Sequence, residues 1–302
     1  MCDKPSYELP DTYCGLEQNE KTLEKSKVVI LPVPLEKSTT YSRGTEYGPQ
    51  AIIEASKNME LYDEEVKADP SEVGIYTDRS LMKSNFSTLD LDQCVKVVER
   101  MASTHIKKGK FLISLGGEHS VSIGLVNAYI KSFGKSFTVI QMDAHADLRE
   151  KYEGSKNNHA CVMRRVIDSV PIVQIGIRSL SKPEAEFIDK NKLKVFWAGQ
   201  NIDDAFIKSV LKEVKTDDIY ITFDLDFLDP SVMPAVGTPE PGGYDFADST
   251  FLLKELIRKR NLIGMDFNEL MPLKGSSIKH PDFLAAKLVY KSIAYKFLLK
   301  GK

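Results

Sequence analysis

Three short polar motifs in this 302-residue sequence combine residue types that can bind metal ions or carry protons. They are GGEHS at residues 116–120, DAHAD at residues 143–147 and DLDFLDP at residues 224–230. In an extended backbone, alternate side chains share a side, so Asp143, His145 and Asp147 are expected to point the same way. Neighbouring buried carboxylates repel one another, and a divalent cation would relieve that repulsion.

Two histidines and four aspartates form the candidate ligand set. They are His119, Asp143, His145, Asp147, Asp224 and Asp226. The set has no thiolate, which argues against structural zinc or an iron–sulfur cluster, and its carboxylates suit Mn²⁺ and related metals. Six side chains are too many for one ion with an open position, so two bridged ions explain the number better. Such a pair activates water for hydrolysis. Alternatively, the carboxylates could serve as helix caps or as solvated turn residues. That interpretation can explain each motif by itself, but it does not explain why the motifs occur together.

The motifs follow predicted strands. Eight apolar runs qualify: residues 28–33, 73–76, 111–115, 137–142, 171–175, 194–197, 219–223 and 262–265. Their consecutive apolar residues are typical of strands covered on both faces. Helical patterns lie between them, at residues 89–107, 120–130, 160–167, 203–214, 246–257 and 283–299. This alternation predicts an α/β fold with a parallel sheet between two helical layers.

The domain organisation is predicted to be simple. Residues 1–25 are polar and lack periodicity, which indicates an N-terminal arm. Residues 26–302 are predicted to form a single domain. In an open parallel sheet, ligands bind beyond the carboxyl ends of the strands. Four of the runs end directly before a histidine or carboxylate motif: the three above, and DFNE at residues 266–269. We therefore expect these motifs to converge at one edge of the sheet.

Composition narrows the classes of partner. The chain carries 41 Lys and Arg against 43 Asp and Glu, a net charge of −2. It therefore lacks the excess of positive charge that is typical of proteins that bind nucleic acid. No apolar run approaches the roughly 18 to 20 residues that span a bilayer. The four cysteines show no Cys-x-x-Cys pair and are expected to be reduced thiols of a cytoplasmic protein.

The three motifs resemble the signatures of the ureohydrolase family, the arginases and agmatinases. Residues 237–243 (GTPEPGG) resemble the loop that follows the third signature in agmatinases. The resemblance runs from about residue 28 to the C-terminus. It implies a three-layer αβα sandwich on an eight-stranded parallel sheet, and assembly as a homo-trimer or homo-hexamer.

The resemblance also implies a role for each site residue. It places His119 and Asp147 on one Mn²⁺, His145 and Asp226 on a second, with Asp143 and Asp224 bridging the two. Asp147 would also orient the attacking hydroxide. His159 falls at the position of a proton shuttle and Glu269 at that of a carboxylate that binds the substrate guanidinium. No role is expected for His105 or His280.

Agmatine is the predicted substrate, with putrescine and urea as products, a step of polyamine biosynthesis. Residues 148–159 depart from the polar loop of arginases and, like residues 239–243, look more like agmatinases. Three alternatives stay open: another ureohydrolase acting on arginine, guanidinobutyrate or a formimino compound, a zinc deacetylase of related fold, and a non-catalytic relative. A single-zinc deacetylase would leave His119, Asp147 and Asp226 without a role. A non-catalytic relative would not need all six ligand positions filled.

Overall fold

An eight-stranded, entirely parallel sheet forms the centre of the protein. The computed structural model describes residues 9–299. The strands are β1 (Val28–Val33), β2 (Ile75–Thr77), β3 (Phe111–Gly116), β4 (Phe137–Met142), β5 (Ile172–Ile177), β6 (Lys194–Trp197), β7 (Asp218–Asp224) and β8 (Asn261–Asn268). Their order across the sheet is β2-β1-β3-β8-β7-β4-β5-β6. Inner strands such as β3 and β4 are buried along their whole length, whereas the edge strand β6 is partly exposed.

Nine α-helices of the described residues surround this sheet. They are α1 (Glu20–Lys25), α2 (Gly48–Ser56), α3 (Leu91–Ile106), α4 (Val121–Phe133), α5 (Val162–Val166), α6 (Lys182–Asn191), α7 (Asp204–Glu213), α8 (Phe246–Lys259) and α9 (His280–Leu298). The buried side chains of α2, α7, α8 and α9 share one apolar core, and those of α3 to α6 share a second core. The sheet separates the two cores, so the predicted three-layer α/β fold is confirmed.

The four central strands carry the sequence motifs at one edge of the sheet. In the order β3-β8-β7-β4, Leu115 pairs with Phe267, Phe267 with Phe223, and Phe223 with Met142. These residues stand at the same level, so the chain leaves all four strands side by side. The motifs that follow these strands therefore begin at the same level along the strand direction, at one edge of the sheet.

Local turn chemistry shifts several predicted boundaries. The predicted strand 73–76 begins later, at Ile75, because Pro70–Val73 forms a 3-10 turn that ends at Gly74 with a φ of 81°. The helix predicted at 160–167 is divided into a 3-10 turn, His159–Cys161, and the short α5. The sequence patterns did not reveal α1, α2 or α6. The five other predicted helices correspond to α3, α4, α7, α8 and α9 within three residues at either end.

The segment before β1 packs onto the domain where it is described. Tyr13 is fully buried; its hydroxyl donates to the Ala286 carbonyl at 2.7 Å and its N–H donates to Thr77 Oγ1 at 2.9 Å. Cys14, Cys94 and Cys161 are buried free thiols, while Cys2 and the rest of residues 1–8 lie outside the described residues, as do residues 300–302. None of the helices in residues 9–299 has the length and apolar character needed to cross a membrane.

Gly117 allows the turn after β3 to approach the chain that follows β1. A Cβ atom there would lie 2.1 Å from the Leu35 carbonyl oxygen and 2.9 Å from its carbon. We expect Gly117→Ala to lower the free energy of unfolding by about 3 kcal/mol, because backbone and not a flexible side chain must move. Urea denaturation measures this change.

Gly237→Ala is the matched control, since a Cβ there would meet its nearest atom at an ordinary 3.6 Å. Equal stability of the Gly117→Ala protein and the wild type would show that the turn is not tightly constrained.

Candidate metal centre

Each of the six candidate ligands sits at or just beyond the carboxyl end of a central strand. His119 lies in the turn after β3, and Asp143, His145 and Asp147 follow β4. Asp224 ends β7, and Asp226 sits on the 3-10 turn Leu225–Phe227 that continues it. Five of the six side chains are buried and His145 is partly exposed.

Their ligand atoms form two overlapping groups. His119, Asp143 and Asp147 present atoms within 4.8 Å of one another, and so do Asp143, His145 and Asp226. Asp143 belongs to both groups. Asp224 Oδ2 lies 3.3 Å from His119 Nδ1, so this carboxylate adjoins the first group. The shared carboxylate is the arrangement expected where one side chain bridges two cations.

The His119 imidazole is oriented so that its Nδ1 lone pair faces the carboxylates. Its Nε2 lies 2.7 Å from Thr222 Oγ1, and that hydroxyl donates to Asp266 Oδ1 at 2.7 Å. Because the Thr222 hydrogen goes to Asp266, the Thr222 oxygen accepts from Nε2–H. Nδ1 is buried and forms no hydrogen bond with any described residue.

The atoms around Nδ1 test whether a metal ion fits this position. Oxygens of Asp147 and Asp143 lie 3.0 and 3.1 Å from it, and that of Asp224 at 3.3 Å. An unprotonated Nδ1 would face these three carboxylates with a lone pair, and a protonated Nδ1 would have a single hydrogen for all three. A divalent cation would be coordinated by all four groups, and a donor set of imidazole nitrogen and carboxylate oxygen suits Mn²⁺. The residues therefore fit a metal ion.

The buried carboxylates at this edge of the sheet create an environment that favours a bound cation. Burial raises the pKa of Asp224 well above its usual value, and the charges of Asp226 and Asp143 add to the effect. Burial likewise raises the pKa of Asp143, with further contributions from Asp226 and Asp147. Burial opposes protonation of His119, yet these carboxylates raise its pKa well above the usual value. Bound cations would keep the carboxylates ionised.

Two buried glutamines hold Asp143 in place. Gln141 Nε2 donates to Asp143 Oδ2 at 2.7 Å, and the His145 N–H donates to Asp143 Oδ1 at 2.6 Å. Gln174 Nε2 in turn donates to Gln141 Oε1 at 2.6 Å. Both glutamines are fully buried. Their bonds fix the carboxylate plane of the residue that the two ligand groups share.

A cavity of about 280 Å³ opens onto the cluster, and both remaining site residues line it. Glu269 follows β8 with a φ of 69°, and its Oε1 accepts the His119 N–H at 2.6 Å. Burial raises the pKa of Glu269 well above the usual value, and the charge of Glu118 adds to this. His159 reaches the cavity from the 3-10 turn before α5.

The two histidines for which no role was expected lie away from this cavity. His105 is buried near the end of α3, where its Nε2 lies 2.6 Å from Asp78 Oδ2. His280 is the exposed first residue of α9. Neither residue lines the cavity.

Several residues that support the site were given no role from the sequence, although Glu118 and Asp266 lie in its motifs. They are Thr222, Asp266, Gln141, Gln174, Glu118 and Ser38. The first four are polar side chains within otherwise apolar strands, and all four are fully buried. A polar residue inside such a run needs a buried partner, and that signal would have identified them. Ser38, in the loop after β1, carries no comparable signal.

A model of the arginase family matches residues 26–294. The chain belongs to the arginase family. It is 40% identical over 272 residues to the N(1)-aminopropylagmatine ureohydrolase of Synechocystis sp., covering 89% of this chain and 88% of that protein. It is 30% identical over 272 residues to the agmatinase of Bacillus anthracis, covering 87% and 90%. The crystal structure of agmatine ureohydrolase of Thermoplasma volcanium superposes with a TM-score of 0.79 at 34% identity, covering 91% of each chain.

These similarities confirm the enzyme class predicted from the sequence. This arginase-family chain is a ureohydrolase with an arginase-like α/β fold. The family is metal-dependent, and the described residues contain the two overlapping groups that can hold metal. The Synechocystis relative is named for N(1)-aminopropylagmatine, a longer guanidino amine than the agmatine predicted from the sequence.

The Thr222 hydroxyl gives the first prediction for metal binding. Thr222→Val removes the acceptor that orients His119, so we expect affinity for Mn²⁺ to fall by about 10- to 100-fold. Isothermal titration calorimetry of the metal-free protein measures the change.

Thr138→Val is the matched control, because Thr138 is also buried in a central strand but pairs with Thr216 Oγ1 at 2.7 Å. Unchanged affinity in the Thr222 variant would show that His119 needs no orienting partner.

Proposed function

We propose that this ureohydrolase hydrolyses the guanidinium group of an agmatine-type amine, releasing urea. One observation carries the proposal: two potential ligand groups share Asp143, and their other members line a cavity that Glu269 and His159 also line. The cavity thus combines a position for two cations, a carboxylate for a guanidinium and a group that can transfer protons.

The proposed cofactor is a pair of Mn²⁺ ions. His119 and Asp147 would hold one ion, His145 and Asp226 the other, with Asp143 and Asp224 shared between them. Bound there, the ions would supply Lewis acidity and lower the pKa of a water molecule. Asp147, whose Oδ2 lies 3.0 Å from His119 Nδ1, would also orient that water.

Glu269 is the proposed anchor for the substrate guanidinium. Its backbone φ of 69° turns the side chain from the end of β8 toward His119 and the cavity. One carboxylate oxygen accepts the His119 N–H, and a guanidinium would donate hydrogen bonds to the carboxylate as well. A cationic substrate would also favour the ionised form, since burial and Glu118 raise the pKa of Glu269.

His159 is the proposed proton carrier. It lines the same cavity as the candidate ligands and lies close to Ser38, whose Oγ is 3.2 Å from its Nδ1. The reaction consumes one water and yields urea and a protonated amine, so a proton must reach the departing nitrogen. An imidazole can take a proton from water and deliver it there near neutral pH.

Two substrates of this class differ in length. Agmatine would give putrescine, and its N1-aminopropyl derivative would give spermidine. Similarity to the Synechocystis enzyme favours the longer amine, and similarity to the Thermoplasma and Bacillus proteins favours agmatine. Both carry the same guanidinium on a four-carbon chain, so the site chemistry above applies to either.

The single-zinc deacetylase alternative fits the structure less well. It would leave His119 and Asp147 without a role, although their ligand atoms lie 3.0 Å apart and are buried. The proposal also retains a catalytic domain of residues 26–302, a cytoplasmic location and assembly as a homo-trimer or homo-hexamer. The buried free thiols of Cys94 and Cys161 are in keeping with a reducing compartment.

Urea release from a substrate panel tests the proposed function. With Mn²⁺ supplied, we expect kcat/KM for agmatine or N1-aminopropylagmatine to exceed that for arginine and guanidinobutyrate by about 100-fold or more, which corresponds to roughly 2.7 kcal/mol of transition-state discrimination. A preference for arginine, or no urea from any of the four compounds, would contradict the proposal.

The shared aspartates test the metal pair. Asp143→Ala and Asp224→Ala should abolish turnover and reduce bound metal together, because each removes a bridging carboxylate. Elemental analysis and urea release are measured on the same samples.

Asp282→Ala serves as the control, since Asp282 is a buried carboxylate at the start of α9, away from the cavity. Full activity in either of the other two variants would overturn the ligand assignment.

A further inference from the structure

A buried carboxylate, a serine hydroxyl and the imidazole of His159 form a hydrogen-bonded chain beside the cavity. Glu118 is fully buried and Ser38 is 5% exposed. Ser38 Oγ lies 2.7 Å from Glu118 Oε1 and 3.2 Å from His159 Nδ1. The two contacts join three segments: the loop after β1, the turn after β3 and the turn before α5.

The donors around Glu118 fix the direction of the first hydrogen bond. Four donors converge on this side chain: the N–H groups of Lys37 and Ser38 and the hydroxyls of Ser38 and Ser120. An ionised carboxylate only accepts, and all four contacts satisfy that form. The Ser38 hydroxyl therefore donates its single hydrogen to Glu118.

The state of His159 follows from that direction. With its hydrogen committed to Glu118, Ser38 Oγ can only accept from the imidazole, and it already accepts the His159 backbone N–H at 3.0 Å. The contact with Nδ1 therefore requires Nδ1 to carry a hydrogen. The neutral ring then has its lone pair on Nε2, the nitrogen that Ser38 does not contact.

We propose that Ser38 and Glu118 are positioning residues that keep His159 in its Nδ1–H tautomer, which reserves Nε2 for proton transfer. The catalytic consequence rests on the proposed function. Nε2 accepts a proton from the attacking water and donates it to the amine nitrogen, which leaves with the electron pair of the broken C–N bond. The remaining carbon fragment loses its hydroxyl proton to the amine, giving urea and an alkylammonium ion. Nδ1–H stays on Ser38 throughout.

Kinetics with two leaving groups separate this role from a structural one. We expect Ser38→Ala to lower kcat for the preferred guanidino amine by about 10- to 100-fold, with KM changed by less than about twofold. The guanidinooxy analogue of the same substrate leaves as a weakly basic alkoxyamine and depends less on a proton donor. Its kcat should therefore change by less than about threefold.

Two further variants control for folding and packing. Ser38→Thr keeps the hydroxyl and should recover most of the lost kcat. Ser292→Ala removes a buried serine that donates to the Leu288 carbonyl within α9 and should match the wild type. Bound metal is measured in every variant. Equal losses on both substrates, or a loss that follows metal content, would overturn the positioning role.

The tautomer itself is measurable without turnover, so failure of the proposed function would not hide the answer. ¹⁵N NMR of histidine-labelled protein in excess Mg²⁺, a diamagnetic ion, at alkaline pH reports which ring nitrogen carries hydrogen. His159→Gln assigns the resonance. We expect a protonated Nδ1 in the wild type, a mixture in Ser38→Ala and a protonated Nε2 in Glu118→Gln, whose amide would donate to Ser38. A proton on Nε2 in the wild type, or identical spectra in all three, would refute the inference.

Discussion

Electrostatic repulsion among buried aspartates is the constraint on which the rest of the site depends. Asp143, Asp224 and Asp226 lie at the end of the sheet with almost no solvent to screen them. Backbone amides and His145 stabilise part of this charge, as the contacts from Ala144 N–H and His145 Nδ1 to Asp226 show. Bound cations would stabilise the remainder. The parallel order of the central strands keeps the carboxylates together despite this repulsion, since the strands are fixed by two large apolar cores.

The same hydrogen-bond logic orients both histidines that matter most. Asp266 takes the Thr222 hydrogen, which leaves the Thr222 oxygen to accept from His119. Glu118 takes the Ser38 hydrogen, which leaves the Ser38 oxygen to accept from His159. In each case a hydroxyl donates its hydrogen to a buried carboxylate, so its oxygen can only accept a hydrogen bond from the imidazole. The two rings differ in which nitrogen carries the hydrogen. In His119 the hydrogen is on Nε2 and Nδ1 faces the carboxylates, whereas in His159 the hydrogen is on Nδ1 and Nε2 is left for proton transfer.

Sequence patterns predicted the sheet and the principal site residues because both depend on local, periodic signals. Runs of apolar residues revealed β3, β4 and β7, and the motifs that follow them contain the metal-ligand candidates. The strand order was not predictable, since it depends on pairing between strands that are far apart in the sequence, such as β3 and β8. The contact between Ser38 and His159 could not be predicted for a related reason. The two residues are 121 positions apart, and only the fold brings them together. The start of β2 was misplaced because Gly74 extends a turn that apolar residues alone do not reveal.

The position of β8 has a consequence for how the protein is made. Among residues 9–299 this strand is the last in sequence, yet it lies between β3 and β7, in the middle of the sheet. Until residues 261–268 leave the ribosome, β2-β1-β3 and β7-β4-β5-β6 can exist only as two separate partial sheets, each with an unpaired edge. His119 belongs to one part and the aspartates to the other, so the cluster cannot assemble on a nascent chain. Synthesis of β8 is therefore the step that allows the two parts of the candidate metal centre to come together.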